Sequence, residues 1–257
     1  MKKQIAGEKN LPNNIYHNEI FLRVYEKAIT GFDAVINGLI KSTTEDCHEW
    51  EEMAWHVVEI LNENRDGGAA ISMLNNIRWK DSSTFIHSVN VAMICYDIAK
   101  WAGMNKQERE EASLCGLLHD VGKLTVSQEV LKKPAGLSEE EREEMKKHTL
   151  QGFYSLLFFR NENVRLSALQ HHERYDGSGY PFGETGEAIN KFAQIVAIAD
   201  VYDALTADRV YRKAMSPKEA LGIMLQEKST YSPFFFSVFY EKVSALEIVE
   251  RIQEQGA

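Results

Sequence analysis

The sequence predicts an all-α protein. Three observations carry that expectation: only five prolines occur in 257 residues, apolar residues recur at three- and four-residue spacing over long segments, and no stretch of useful length alternates as a strand would. Residues 13–41 place Ile15, Ile20, Val24, Ala28, Phe32, Val35, Ile36 and Leu39 in one or two amphipathic helices, with Gly31 and Gly38 marking close packing or a break. A second helix is expected from Asp46 to Asn64, stopped by Arg65-Asp66-Gly67-Gly68. That stop divides an N-terminal helical extension, residues 1–62, from a larger unit, residues 63–257.

After a short helix near residues 69–77, Asp81-Ser82-Ser83 caps a helix from Thr84 to about Ala102 that carries His87 in its first turns. Residues 106–118 form the next helix and deliver His119-Asp120 at its C-terminal end. Ser138 and Glu141 make a capping box that opens the helix expected to carry His148, and residues 161–172 end on His171-His172. Beyond a glycine-rich loop at 176–186, a helix over 189–205 holds Asp200 in its middle. Ser216, Glu219 and Pro217 open a helix reaching about Glu227, and a last amphipathic helix runs from Phe234 to Gln253.

The chain is long enough for one sizeable helical domain with a generous core. Asp and Glu outnumber Lys and Arg by 38 to 29, so the formal charge of −9 repels duplex nucleic acid while leaving room for a small anion at a local basic cluster. Cys47, Cys95 and Cys115 are an odd set without C-x-x-C spacing, which reads as reduced and structural. No apolar stretch follows the N-terminal lysines as in a secretory signal, and none approaches the ~18–20 residues of a membrane span, so the expected setting is the cytoplasm.

The chemistry lies in His87, His119, Asp120, His148, His171, His172 and Asp200. A lone histidine on an apolar face is more often a satisfied core residue than a ligand. Adjacent helical residues diverge by ~100°, so His119 and Asp120 converge on one point only at a helix end, which Gly122 permits. Asp200 follows Ile195-Val196-Ala197-Ile198-Ala199, where a carboxylate is costly unless it pairs with Arg209 or Lys191 or meets a cation. Five imidazoles and two carboxylates exceed one tetrahedral ion and suit two ions sharing a carboxylate. Their mixed N and O donors favour iron, manganese or zinc over magnesium or calcium. Such a pair, ~3.5–4 Å apart, suits hydrolysis of a phosphodiester. His17, His48 and His56 are scattered and read as surface or packing residues.

His119-Asp120 with Gly122-Lys123, HHERYDGSGYP at 171–181 and ADVYDALTADRVYR at 199–212 resemble the HD-GYP family, the cyclic di-GMP phosphodiesterase branch of the HD superfamily, over about residues 63–257. The resemblance implies an HD-type helical bundle and an enzyme that hydrolyses cyclic di-GMP to pGpG and on to GMP by a hydroxide between two divalent metals, most favourably iron or manganese. It implies the seven residues above as ligands, with Asp120 as the bridge. Lys123 is implied near the scissile phosphate, and Tyr180, Arg209 and Arg212 at the dinucleotide, with Arg174 and Asp176 bracing the loop. Some family members carry a glutamate one turn before the first histidine and hold three metals; Ser83 stands there, so two are expected. Val210 replaces a usual proline and Gln194 a common arginine. Two other readings are a binding module that has lost catalysis and a hydrolase of another cyclic dinucleotide such as cyclic GMP-AMP. The N-terminal helices lack ligand-like clusters and suit a homodimer contact.

Overall fold

The structure is a computed structural model that describes residues 13–41, 47–62, 74, 84–131, 133, 136–207 and 213–255. Helices dominate, and among the described residues the sole β feature is an isolated bridge between Asp176 and Thr185. Two long helices open the chain, α1 (Asn13–Lys41) and α2 (Cys47–Asn62), followed by α3 (Thr84–Trp101) and α4 (Lys106–Leu118). Then come α5 (Gln128–Leu131), α6 (Glu139–Lys146), α7 (His148–Ser155) and α8 (Glu162–Gln170). The chain closes with α9 (Lys191–Thr206), α10 (Pro217–Gln226) and α11 (Pro233–Gln255).

The centre is a group of helices in which α3 packs on α4 and α9, and α8 packs on α4, α7 and α9. Helix α3 is buried from Ser88 to Ala99 and α9 from Phe192 to Ala199, as expected of helices apolar all round. Helix α4 splits instead: Lys106–Glu111 is polar and partly exposed, whereas Ala112–Leu118 is buried. Gly116 makes the α3–α4 crossing close, since a Cβ there would lie 2.9 Å from the Ala92 Cα. Helices α1 and α2 pack on each other and on this group, and Tyr25, Phe32, Val57 and Leu61 share one apolar core with Val89, Leu114, Ile198 and Phe239.

Helix α1 continues through Gly31 and Gly38, which allow close approach: a Cβ on Gly38 would meet the Trp50 ring at 2.2 Å. The capping boxes at Ser138 and Ser216 form, and a third forms at Asn105. Two expectations change. The helix opened by Ser138 ends at Lys146, because the Lys147 N–H turns back to the Glu144 and Met145 carbonyls, and His148 begins a new helix. The helix expected over 189–205 is entered through a short 3-10 turn at Gly186–Ala188 and capped by Asn190, so it begins at Lys191. The short helix near 69–77, the stop at 65–68, the cap at 81–83 and the residues Val210, Arg209 and Arg212 lie outside the described residues, apart from Leu74. No helix of the described residues is long and apolar enough to cross a membrane.

Candidate metal centre

Helix ends supply most of the polar groups at the centre. His119 caps α4 and Asp120 opens the 3-10 turn Val121–Thr125; His148 is the first residue of α7; His171 caps α8 and His172 follows it. His87 and Asp200 come from the bodies of α3 and α9. Gly122 makes this convergence sterically feasible. A Cβ there would stand 1.9 Å from the His148 carbonyl oxygen and 2.5 Å from the Gly152 nitrogen, so only glycine lets the turn lie on α7.

Asp120 sits between two groups of donors. Its Oδ2 lies 3.3 Å from His119 Nε2 and 3.7 Å from His87 Nε2, while its Oδ1 lies 3.5 Å from His148 Nε2 and 3.7 Å from His171 Nε2. His87 Nε2 is also 3.1 Å from Asp200 Oδ1, and the His172 ring lies 4.1 Å from that of His171. Two sets of donor atoms each gather within 4.8 Å: His87, His119 and Asp120, and His148, His171 and His172.

The outer nitrogens set the tautomers. A carbonyl can only accept, so His119 donates its Nδ1–H to Gly116 O (2.7 Å), His148 to Met145 O (2.5 Å) and His171 to Ala168 O (3.0 Å). His87 donates its Nδ1–H to Asp203 Oδ2 at 2.7 Å. In His119, His148 and His171 the Nε2 is thereby left as a lone pair facing inward, whereas the His87 Nε2 faces the Asp200 carboxylate, which favours a proton on it. His148 Nε2 and His171 Nε2 stand 3.2 Å apart, an arrangement of two lone pairs that repels unless a cation lies between them. His119 Nε2 and Asp120 Oδ1 are buried without a hydrogen-bond partner, which costs ~1–3 kcal/mol for each orphaned group. The donor set therefore fits divalent cations.

Electrostatics agree. Burial alone would raise the Asp120 and Asp200 carboxyls, yet Lys123 and His119 hold the first, and His87 the second, well below the usual range. Burial works against charge on His87, but Asp200 and Asp203 overcome it and raise its pKa to about 10. Burial keeps His148 and His172 neutral, the latter lowered to about 3, and burial together with the neighbouring imidazoles does the same for His171.

Lys123 and Tyr180 line the same place. The Lys123 ammonium is 2.5 Å from Asp120 Oδ2, and Tyr180 stacks on His172 with ring centroids 4.8 Å apart. The loop carrying Tyr180 is folded tightly. Gly179 lies where a Cβ would meet Arg174 N at 2.3 Å, and Gly177 has φ +83°. Asp176 braces it by accepting from Ser178 N and Oγ, and the Arg174 guanidinium lies 5.8 Å from the Tyr231 ring centroid. Gln194 closes the loop's far end by donating to Ile189 O at 2.8 Å. Lys191, an alternative partner for Asp200, pairs with Glu108 at 2.8 Å instead. His56 is on the surface, 3.3 Å from Glu59.

Three contributors escaped the sequence reading. Asp203 and Asn90 lie three residues beyond Asp200 and His87 on facing helices, a shared spacing that was their available signal. Glu173 directly follows His171-His172 in the chain. It is buried and accepts from Phe182 N (2.7 Å) and Glu184 N (3.1 Å), so it holds the loop.

The HD domain family model matches residues 60–233. A 3′3′-cGAMP-specific phosphodiesterase of Vibrio cholerae is 37% identical over 195 residues, 70% of this chain and 45% of that protein. A cyclic di-GMP phosphodiesterase of Pseudomonas aeruginosa is 36% identical over 176 residues, 68% of this chain and 42% of the relative. The chain thus spans about half the length of the curated relatives it matches. Among solved structures, Bd1817, an HDG"Y"P protein of Bdellovibrio bacteriovorus, superposes with a TM-score of 0.67 at 19% identity, over 86% of this chain and 70% of that one, a likeness of fold.

Proposed function

We propose, because the chain belongs to the HD-GYP family of HD-domain proteins, that it is a metal-dependent phosphodiesterase hydrolysing cyclic di-GMP to linear pGpG and, by a second cut, to GMP. The observation that carries this reading is the position of Asp120, whose two oxygens face two separate histidine groups. On this reading His87, His119, Asp200 and Asp120 would hold one cation, and His148, His171, His172 and Asp120 a second; the mixed donors suit iron, manganese or zinc, and the family resemblance points to iron or manganese. When bound, such ions supply positive charge to the phosphate and a nucleophile at neutral pH.

The chain's own residues do the rest. The outer hydrogen bonds hold the His87, His119, His148 and His171 rings so that no rotation is needed on binding, and Tyr180 stacks on His172. Lys123 adds a positive charge beside the bridging carboxylate, where phosphate charge grows in the transition state. Tyr180, held by its loop against His172, presents an aromatic face to a guanine. Arg209 and Arg212 remain the proposed phosphate and guanine contacts. In the net reaction a water gives its hydroxyl to phosphorus and its proton to the departing 3′ oxygen.

A second substrate has a specific observation behind it: relatives named as 3′3′-cGAMP-specific stand beside those named for cyclic di-GMP, so the hybrid dinucleotide belongs in the same assay. The reading further takes residues 63–257 as the catalytic unit, residues 1–62 as an extension suited to homodimer contact, and the cytoplasm as its setting. Anaerobic reconstitution with iron(II), manganese or zinc, followed by chromatography of both dinucleotides, tests it. Cleavage with at least one metal, abolished by Asp120→Ala, is expected. An intact substrate after hours with two metals bound would remove the catalytic reading in favour of a binding module.

A further inference from the structure

The N-terminal helix reaches the metal centre through an unbroken line of buried hydrogen bonds. The Tyr25 hydroxyl, on α1, donates to Asn90 Oδ1. Asn90 Nδ2 donates to Asp203 Oδ1 at 2.8 Å, and His87 Nδ1 donates to Asp203 Oδ2 at 2.7 Å. His87 Nε2 then faces Asp200 and Asp120. Tyr25 is fully buried, and Asn90 and Asp203 are 7% and 5% exposed, so bulk water does not substitute for a missing link. All the donor directions are coherent, because the Asp203 carboxylate only accepts and takes one bond on each oxygen.

We infer that Tyr25 is a positioning residue for the ligand His87, acting through Asn90 and Asp203, so that the N-terminal helix is part of the metal centre's support. The inference rests on the two-metal reading above and extends it to a residue outside the segment matched by the HD domain, 60–233. In a buried chain of hydrogen bonds each donor polarises the next. The Tyr25 hydroxyl makes Asn90 a better donor to Asp203, which sets how firmly Asp203 holds the His87 ring and how strongly Nε2 donates. A shift of α1 is then felt at one ligand and not at His148 or His171, whose Nδ1–H groups bond the backbone carbonyls of Met145 and Ala168. The burial that keeps Tyr25 protonated also keeps it a donor.

The test uses the full chain and Tyr25→Phe, which removes one oxygen and keeps the ring. In the metal-free protein, nitrogen-15 NMR of the imidazoles is expected to show a downfield His87 Nδ1–H, assigned by its loss in His87→Gln, that moves in Tyr25→Phe. With cobalt(II) as the probe, equilibrium binding is expected to weaken about three- to tenfold at one site only, below the 10–100-fold typical of direct outer partners. In an Asn90→Ala background, Tyr25→Phe should add nothing further. An unmoved resonance, unchanged cobalt binding, or a full-sized effect in that background overturns the inference. A wild-type chain that binds no cobalt while the resonance still moves overturns the metal reading and leaves the hydrogen-bond relay standing.

Discussion

At the residue level, what distinguishes this centre is how its outer contacts divide labour. His119 and His171 are held by carbonyls of their own helices, so they are placed as soon as those helices form, and His148 by the Met145 carbonyl of the preceding helix α6. His87 depends on Asp203 from another helix. Lys123 stands apart, since its ammonium neutralises Asp120 without being a candidate ligand. Removing it should separate charge stabilisation from metal binding. Lys123→Met is expected to lower kcat on the order of 100-fold, the scale of one lost transition-state donor, while metal analysis still finds two ions per chain. A parallel loss of metal would instead make Lys123 a support for Asp120.

At the level of elements, the centre exists because helix ends meet, and the meeting is set by glycines. Gly122→Ala places a methyl against the His148 carbonyl and the Gly152 nitrogen, both backbone atoms that cannot rotate aside. Its cost is expected to be about 3 kcal/mol, at the upper end of overpacking. That corresponds to roughly 6–12 °C in Tm for a chain of this size, with loss of metal at both sites; a Tm within 2 °C of wild type, with metal retained, would show that the turn can move away from α7. Element boundaries were largely legible from the sequence, because capping boxes such as Ser138–Glu141 and Ser216–Glu219 are local signals. The break at Lys147 was not, since nothing in the residues 144–148 marks a helix stop and the turn is imposed by docking His148 under Gly122. The inward-facing residues were legible by type and motif. Their supports, Asp203, Asn90 and Glu173, were not, because a carboxylate that holds a ligand or a loop looks in sequence like a ligand or a surface charge.

At the level of the molecule, burying so many titratable groups in one core ties stability to pH in both directions. His148, His171 and His172 are held neutral, with folded pKa values below the ~6.5 of an unfolded histidine. As pH falls through 6.5 the unfolded chain takes up protons that the folded chain refuses, so metal-free stability drops on the acid side. Each such histidine contributes at most about 1.4 kcal/mol per pH unit. His87 works the other way: its pKa of about 10 means that its stabilising charge is complete below 6.5 and lost as pH rises toward 10. Denaturant unfolding of the metal-free protein should therefore show a maximum near neutrality, falling toward pH 5 and toward pH 10. His87→Gln should flatten the alkaline limb between pH 6.5 and 9 and leave the acid limb, which belongs to the other three; above pH 9 the buried Cys95 and Cys115 thiols, held protonated by burial, keep stability falling. Stability that holds level from pH 7 to 5 would mean that those three histidines accept protons in place. The same balance bears on loading. At neutral pH the His148 group is already deprotonated for a cation, whereas His87 must give up a proton held by Asp200 and Asp203, so filling the His87 side should release a proton and tighten as pH rises.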